Sequence, residues 1–178
     1  MSTLFSTDPI VFTPAQKVLA LSWKQPFAEL MLHGKIETRT WPTKYRGWVL
    51  ICASKTGYSH QSILNIAGPE QYLRFVGMID TTKNRQGMAI AIGRLIDCRR
   101  MRPDDEDACF VQYRPYLYCH VYADVQEIAP ISWVGSQGWK EVSRDIKALI
   151  QPLKFYCLDE GDGKPRCQVQ CPFCENLC

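Results

Sequence analysis

Apolar residues along this chain come in short blocks, each closed by glycine, proline or a run of polar residues, and the period changes from block to block. Val18-Leu19-Ala20-Leu21-Ser22 is a strand-length apolar run. Pro26 stands where a helix accepts a first-turn proline, with Phe27, Leu30 and Met31 at helical spacing and His33-Gly34 as the stop. Ile36 to Trp41 alternates as a strand does, and after the turn-forming Pro42 to Gly47 the unbroken run Trp48 to Ala53 predicts a strand covered on both faces. These two segments are expected to pair. Ser59 is placed to cap a helix through Ile63, Leu64 and Ile66 that stops at Gly68-Pro69, with a shorter helical piece over Gln71 to Phe75. Asn84 to Gly87 is an expected loop. Met88 to Cys98 is long, apolar and interrupted by Gly93, the pattern of a bent central strand in a small barrel. Arg99 to Asp107 turns from arginines to acids and is expected as a solvated loop, and Tyr116 to Glu127 as another strand. Pro130 to Trp139 brackets a glycine turn with two tryptophans, and Val142 to Leu149 is a closing helix ended by Pro152. Many short strands, few helices and no regular βαβ alternation predict an α+β domain built on a curled sheet.

This pattern divides the chain into three zones: an N-terminal arm over 1–16, a domain over 17–154, and a tail over 155–178 that has few aliphatics and ends in clustered cysteines. At 178 residues, with 46% hydrophobic and 22% charged residues, the chain is long enough for one core and too apolar for wholesale disorder. No apolar run approaches the roughly 18 residues of a membrane helix, so no membrane partner is expected. Met1 to Thr13 lacks the basic and apolar regions of a secretory signal, so the expected location is the cytoplasm, where the nine cysteines would be thiols or metal ligands.

The net charge of +3 is unevenly placed. Pro14 to His60 holds seven basic residues against two acidic ones, leaving +5 there and −2 in the remainder. The same segment interleaves cations with aromatics: Trp23, Lys24, Lys35, Arg39, Trp41, Lys44, Tyr45, Arg46 and Lys55. Cations neutralise phosphates and aromatic faces stack on bases, which points to a nucleic acid or nucleotide. The alternative is that Trp23, Trp41 and Trp48 pack the core while the cations form a solvated face.

Leu21-Ser22-Trp23-Lys24-Gln25-Pro26-Phe27-Ala28, then Gly34 to Trp41, Tyr45-Arg46-Gly47 and Ala53-Ser54-Lys55, resemble in order the N-terminal signature of ASCH domains, members of the PUA-like superfamily. Gly87 to Cys98 is similar to that family's long strand ending in Asp-Cys, and Pro130 to Val142 to its closing turn with tryptophans around glycines. The resemblance covers about residues 18 to 142. It implies a small PUA-like β-barrel with flanking helices and a cleft between the first helix and the barrel that takes RNA or a nucleoside, with some relatives acting as hydrolases. The residues expected at the cleft are Lys24, Gln25, Glu37, Arg39, Trp41, Arg46, Ser54 and Lys55, faced by Gln137 and the Gly135/Gly138 turn. Lys24, Lys35 and Glu37 are the candidates for catalysis, Glu37 as a base and a lysine as an electrostatic clamp on RNA or a modified nucleoside. The family pattern Gly-x-Lys-x-x-Glu-x-Arg is not met, since Gly34 falls in the lysine slot when Glu37 and Arg39 are aligned. In the acetylcytidine amidohydrolase relatives a threonine nucleophile follows that lysine by three positions; Glu37 occupies the slot when Gly34 is aligned to the lysine, so that mechanism is not carried over. A Glu37–Arg39 pair can instead read a base edge without turnover, the carboxylate accepting from an amine and the guanidinium donating to a carbonyl.

The histidines, His33, His60 and His120, have no metal or dyad spacing and are expected as packing or surface residues. Cys167-x₃-Cys171-x₂-Cys174-x₃-Cys178 is the second chemical signal: four soft ligands, with Cys171-Pro172-Phe173-Cys174 a knuckle that presents two thiolates to one tetrahedral ion. Zinc is the expected metal, with Cys157 as a possible substitute ligand. The first three also match the spacing of an iron–sulfur cluster, and reduced thiols or a protein-docking tail are the remaining readings. Cys52, Cys98, Cys109 and Cys119 are scattered, the first two as small core residues.

Overall fold

A computed structural model describes residues 12, 13, 15–78, 85–151 and 153. The chain forms a mixed α+β fold in which six strands make one curled half-barrel sheet and the helices are few and short. In chain order these are β1 (Val18–Trp23), α1 (Phe27–Leu30, continued by a 3₁₀ turn, Met31–His33), β2 (Glu37–Arg39), β3 (Gly47–Ala53), α2 (His60–Val76), β4 (Met88–Arg100), α3 (Glu106–Cys109), β5 (Tyr118–Ser132), β6 (Lys140–Glu141) and α4 (Arg144–Leu149).

The strand order is β2-β5-β4-β3-β1-β6. β1 runs parallel to β3 and every other pairing is antiparallel. β3 is the middle of the apolar stack: Leu50 and Cys52 face one core with Val18, Ala20, Ile92 and Ile128, while Val49, Ile51 and Ala53 face another with Leu21, Trp23, Met31 and Ile90. That two-sided burial is why its sequence lacks alternation. A third cluster, Phe27, Leu30, Ala67, Met101, Cys109, Phe110, Val111 and Cys119, packs the helices against the β2/β5 end.

The curl has a local cause. The β4–β5 register slips between Ala89 and Ala91, between Ile92 and Arg94, and between Leu95 and Asp97. Each slip is an irregularity that bends and twists the strand pair. Gly93 belongs to this bend: a Cβ there would lie 3.0 Å from Val125 Cγ2. The result is that β2, at one end of the sheet order, curves back toward β1 near the other. Arg39 Nη2 donates to the Ser22 carbonyl at 3.2 Å, and the Arg39 guanidinium lies 5.3 Å from the Trp23 ring centre. One side chain thereby spans the open seam of the half-barrel.

Several expectations need correction. β2 and β3 are not partners: β2 pairs with β5, Glu37 opposite His120 and Arg39 opposite Tyr118, because β3 already has β1 on one side and β4 on the other. By contrast, the two helical pieces expected over 59–75 are present: α2 is two helical runs separated at Gly68, which takes a non-helical φ of 78° and ψ of 164° ahead of Pro69, and Ser59 Oγ caps the first by accepting from Ser62 N at 3.2 Å. Arg99 to Asp107 is not a solvated loop. Arg99 holds the buried Asp105 with two hydrogen bonds of 2.6 and 2.7 Å, and the chain there forms a 3₁₀ turn leading into α3. β5 runs five residues past the expected end, through Pro130 to Ser132. Its outer edge is covered by β2 at residues 118–120 and, further on, by the segment after α4: Ala129 N donates to Gln151 O at 3.1 Å and Leu153 N to Glu127 O at 2.8 Å.

A second buried charge network joins this frame. Arg85, 7% exposed, contacts the carboxylates of Glu29 on α1 and Glu127 on β5, with Glu29 Oε2 left without a partner. No helix among the described residues is long and apolar enough to cross a membrane. The cysteines of the proposed metal set, Cys167, Cys171, Cys174 and Cys178, with Cys157, lie outside the described residues.

Candidate functional site

Where β1 ends and β2 comes up beside it, the elements leave a cleft of about 120 Å³. β1 supplies Trp23 and the following Lys24, α1 supplies Phe27, the turn after α1 supplies Lys35, and β2 supplies Glu37, Thr38 and Arg39. Tyr58, Ile66 and Val111 close the far wall. Gly34, with φ of 80°, ends the 3₁₀ turn after α1 and directs the chain back under it, which brings Lys35 inward.

The floor is a buried ion triad. Lys35 Nζ is 2.9 Å from Glu37 Oε2, and also donates to the Ile36 carbonyl at 2.9 Å; the Lys35 side chain is 1% exposed. Arg39 Nε is 3.0 Å from Glu37 Oε1, although its N–H is not aligned for a hydrogen bond. Burial pushes the Glu37 carboxyl pKa up, but Lys35 and Arg39 at contact distance, with the Lys35 hydrogen bond, outweigh it and hold the group below its ordinary value. Glu37 is therefore an ionised acceptor, not a proton donor, at neutral pH. Lys24 stands at the exposed rim with its ammonium 4.9 Å from the Tyr58 ring centre, and Lys35 Nζ lies 5.5 Å from the Phe27 ring centre. The lining thus carries three cations against one carboxylate, between aromatic walls.

Behind Glu37 stands His120, its register partner on β5. His120 is fully buried, and burial lowers its pKa against the opposing effects of the Trp41 carbonyl and Glu37, so the imidazole is neutral. Nε2 lies 3.1 Å from the Trp41 carbonyl, which assigns the proton to Nε2 and leaves Nδ1 an acceptor without a partner. Trp23 Nε1 and the Tyr122 hydroxyl are also buried without partners, and burial raises the Tyr122 pKa well above its usual value.

Of the residues expected at a cleft, the structure brings Lys24, Lys35, Glu37 and Arg39 together. Gln25 is adjacent, its Oε1 accepting from Glu29 N at 3.2 Å in the first turn of α1, and does not line the cleft. Trp41 is packed edge-on against His120 and Trp139, 5.0 and 5.7 Å between ring centres, which makes it a wall of the core behind the site. Arg46 is turned to the outside, 3.4 Å from Asp97. Ser54 Oγ donates to the Thr56 carbonyl at 2.7 Å, and the exposed Lys55 lays its stem beside Gly87. Gly135 lies close to the Ser22 hydroxyl, Gly138 takes φ of 73°, and neither these nor the exposed Gln137 line the cleft.

The sequence pattern does not single out Phe27, Thr38, Tyr58, Ile66 or Val111 as site residues, and it gives His120 only as a packing or surface residue. Thr38 was within reach, since it falls between Glu37 and Arg39. Tyr58 and Val111 had no signal, because each arrives through a connection whose path depends on tertiary packing. No family model matches the chain, and no curated protein matches its sequence. Among the described residues no group of three or more histidine, cysteine, aspartate or glutamate side chains is gathered to hold a metal ion.

Proposed function

We propose that this domain binds a nucleic acid or nucleotide, inserting one base or its adjoining phosphate into the cleft at the β1/β2 seam. The carrying observation is the lining: Lys24, Lys35 and Arg39 against the single carboxylate of Glu37, between Trp23, Phe27 and Tyr58. Cations favour an anionic ligand and aromatic walls favour a flat one, and a nucleotide is both. Glu37 supplies an ionised acceptor for a base amine, and Arg39 Nη1, engaged by neither Glu37 nor Ser22, supplies a donor for a carbonyl. The half-barrel is, in this reading, a PUA-like fold of the ASCH type. In support, two of the motifs that carry the resemblance fall on elements around the cleft: Leu21 to Ala28 spans the end of β1 and the start of α1, and Gly34 to Trp41 contains β2.

The test is the affinity of the full chain for short labelled single-stranded RNA as salt is raised. Lys24→Ala is the informative variant, because Lys24 is exposed at the rim and its removal leaves the buried triad intact. It should lower the slope of log affinity against log salt by about 0.7, the share of one phosphate on a single strand. Affinity indifferent to salt and to Lys24→Ala would refute the proposal.

A hydrolase is the second reading, favoured by one observation: Thr38 lines the same cleft as Lys35 and Glu37. Against turnover, Lys35 is tied to Glu37 and the Ile36 carbonyl, and a carboxylate with a lowered pKa is a weak base. Incubation with labelled RNA and with N4-acetylcytidine decides it: product beyond that formed by a Glu37→Gln control establishes catalysis.

A further inference from the structure

Cys109, at the end of α3, and Cys119, near the start of β5, are both fully buried with their Sγ atoms 3.7 Å apart. The pair has charged neighbours on one side. Cys119 Sγ is 3.6 Å from Asp105 Oδ2, and Asp105 is fixed by two bonds from Arg99 and one from the Arg102 backbone N–H. On the other side the pair backs directly onto the cleft. The carbonyl of Ala108, next to Cys109, accepts from Ile36 N at 2.8 Å, and Ile36 is the residue between Lys35 and Glu37. Cys119 is the register partner of Thr38, the residue between Glu37 and Arg39. Both thiols therefore stand behind the five-residue segment that carries the ion triad.

We propose that Cys109 and Cys119 form a reversible oxidative cross-linking site whose disulfide displaces the Lys35–Arg39 segment and so ties the geometry of the cleft to thiol oxidation. A disulfide needs the sulfurs at about 2.05 Å, so they must close from the present 3.7 Å, by rotation of the two side chains together with shifts of the segments that carry them. The backbone neighbours of the pair include those that hold Ile36 and Thr38, with Arg99 of β4 on the other side of Cys119. The cross-link itself does not depend on what the cleft binds.

The oxidant is a small hydroperoxide. The Cys119 thiolate attacks one peroxide oxygen, the O–O bond breaks, and the other oxygen leaves as water or an alcohol once protonated, giving a sulfenic acid at Cys119. The Cys109 sulfur then attacks that sulfenic sulfur, the S–OH bond breaks, and the hydroxide leaves as water with the Cys109 proton. Two thiols lose two electrons in total and the peroxide gains them. Either sulfur can donate in the Cys109–Cys119 contact; with Cys109 as the donor and Arg99 nearby, the charged form is favoured at Cys119 against burial and the Asp105 carboxylate, which is the order of attack written here.

The experiment treats the full native chain with hydrogen peroxide, alkylates the remaining thiols under denaturing conditions and maps the peptides. The expected product joins Cys109 to Cys119, is lighter by two hydrogens and is reversed by dithiothreitol. In parallel, hydrogen exchange at the amides of residues 36–39 should change by about tenfold between reduced and oxidised protein. Cys109→Ser should abolish both effects; should that variant not fold, the comparison within the wild-type chain stands. Separate alkylation of Cys109 and Cys119 after peroxide, or their conversion to sulfinic acids without a cross-link, overturns the proposal. So does a cross-link that leaves exchange at 36–39 unchanged. None of these outcomes involves RNA, so failure here is distinct from failure of the binding reading.

Discussion

Replacing Glu37 by glutamine removes one charge from a buried triad and keeps its shape, and the consequence can be worked from the contacts. Lys35, 1% exposed, loses a charge-assisted hydrogen bond of 2.9 Å, and Arg39, 22% exposed, loses its carboxylate at 3.0 Å. Breaking a buried pair by neutralising one partner costs about 3–5 kcal/mol, since the other charge stays desolvated. The glutamine oxygen still accepts one hydrogen bond and Arg39 is part-exposed, which places Glu37→Gln near the lower end, about 3 kcal/mol. The measurement is urea unfolding of both proteins across pH. The folded pKa of Glu37 lies below its reference of 4.5, so its stabilisation is fully present above the unfolded value and is lost as pH falls through the folded one. The wild-type advantage should therefore be flat from pH 7 to about 5.5 and shrink below about 4.5. A difference under about 0.5 kcal/mol at pH 7, or one that does not shrink in acid, would refute the account of the triad. A cycle with Lys35→Met separates the pair from the site: if the coupling is direct, the double variant costs less than the two single changes together.

Arg85→Met should destabilise by about 3–5 kcal/mol, because it leaves the buried Glu29 and Glu127 carboxylates without their shared cation; adding Glu29→Gln should recover part of that loss in the same unfolding assay. Gly68→Ala should cost about 1–2 kcal/mol, given φ of 78° at the α2 kink and a new Cβ 2.8 Å from the movable Gln112 amide; no loss in thermal unfolding would mean the kink relaxes. We propose zinc at Cys167, Cys171, Cys174 and Cys178, so elemental analysis of the full chain should find about one equivalent, and less than about half an equivalent would count against it.

The strand content was legible because burial imposes a period. Val49 to Ala53 on two cores, the strand through Val18 to Ser22 and the glycine bend at Gly93 all follow from side-chain pattern alone. Pairing was not, since β2 and β3 are adjacent in sequence and nothing local says that β3 will have both edges taken. For the site, composition pointed to the basic, aromatic segment between Trp23 and Lys55, and the ion triad is in it. Arg46 and Lys55 belong to the same segment and face elsewhere, because charge counting carries no direction. Asp105 shows the opposite error: a run of acids reads as solvated, yet one of them is buried where Arg99 of the preceding strand reaches it. His120 was invisible as part of the site for the same reason, its relation to Glu37 being made by the β2–β5 register and not by spacing.

The cover on the outer edge of β5 has a bearing on self-association. β5 is fifteen residues long, yet β2 pairs with only its first three. Beyond that, Asp124 breaks the extended path with φ of 53°, Pro130 has no N–H to offer, and residues 151 and 153 occupy the groups at 129 and 127. A free edge of that length is a template for a strand of another molecule. The few residues after α4 therefore act as a guard against intermolecular pairing, and a chain cut before Gln151 would expose the longest strand of the sheet to its own copies.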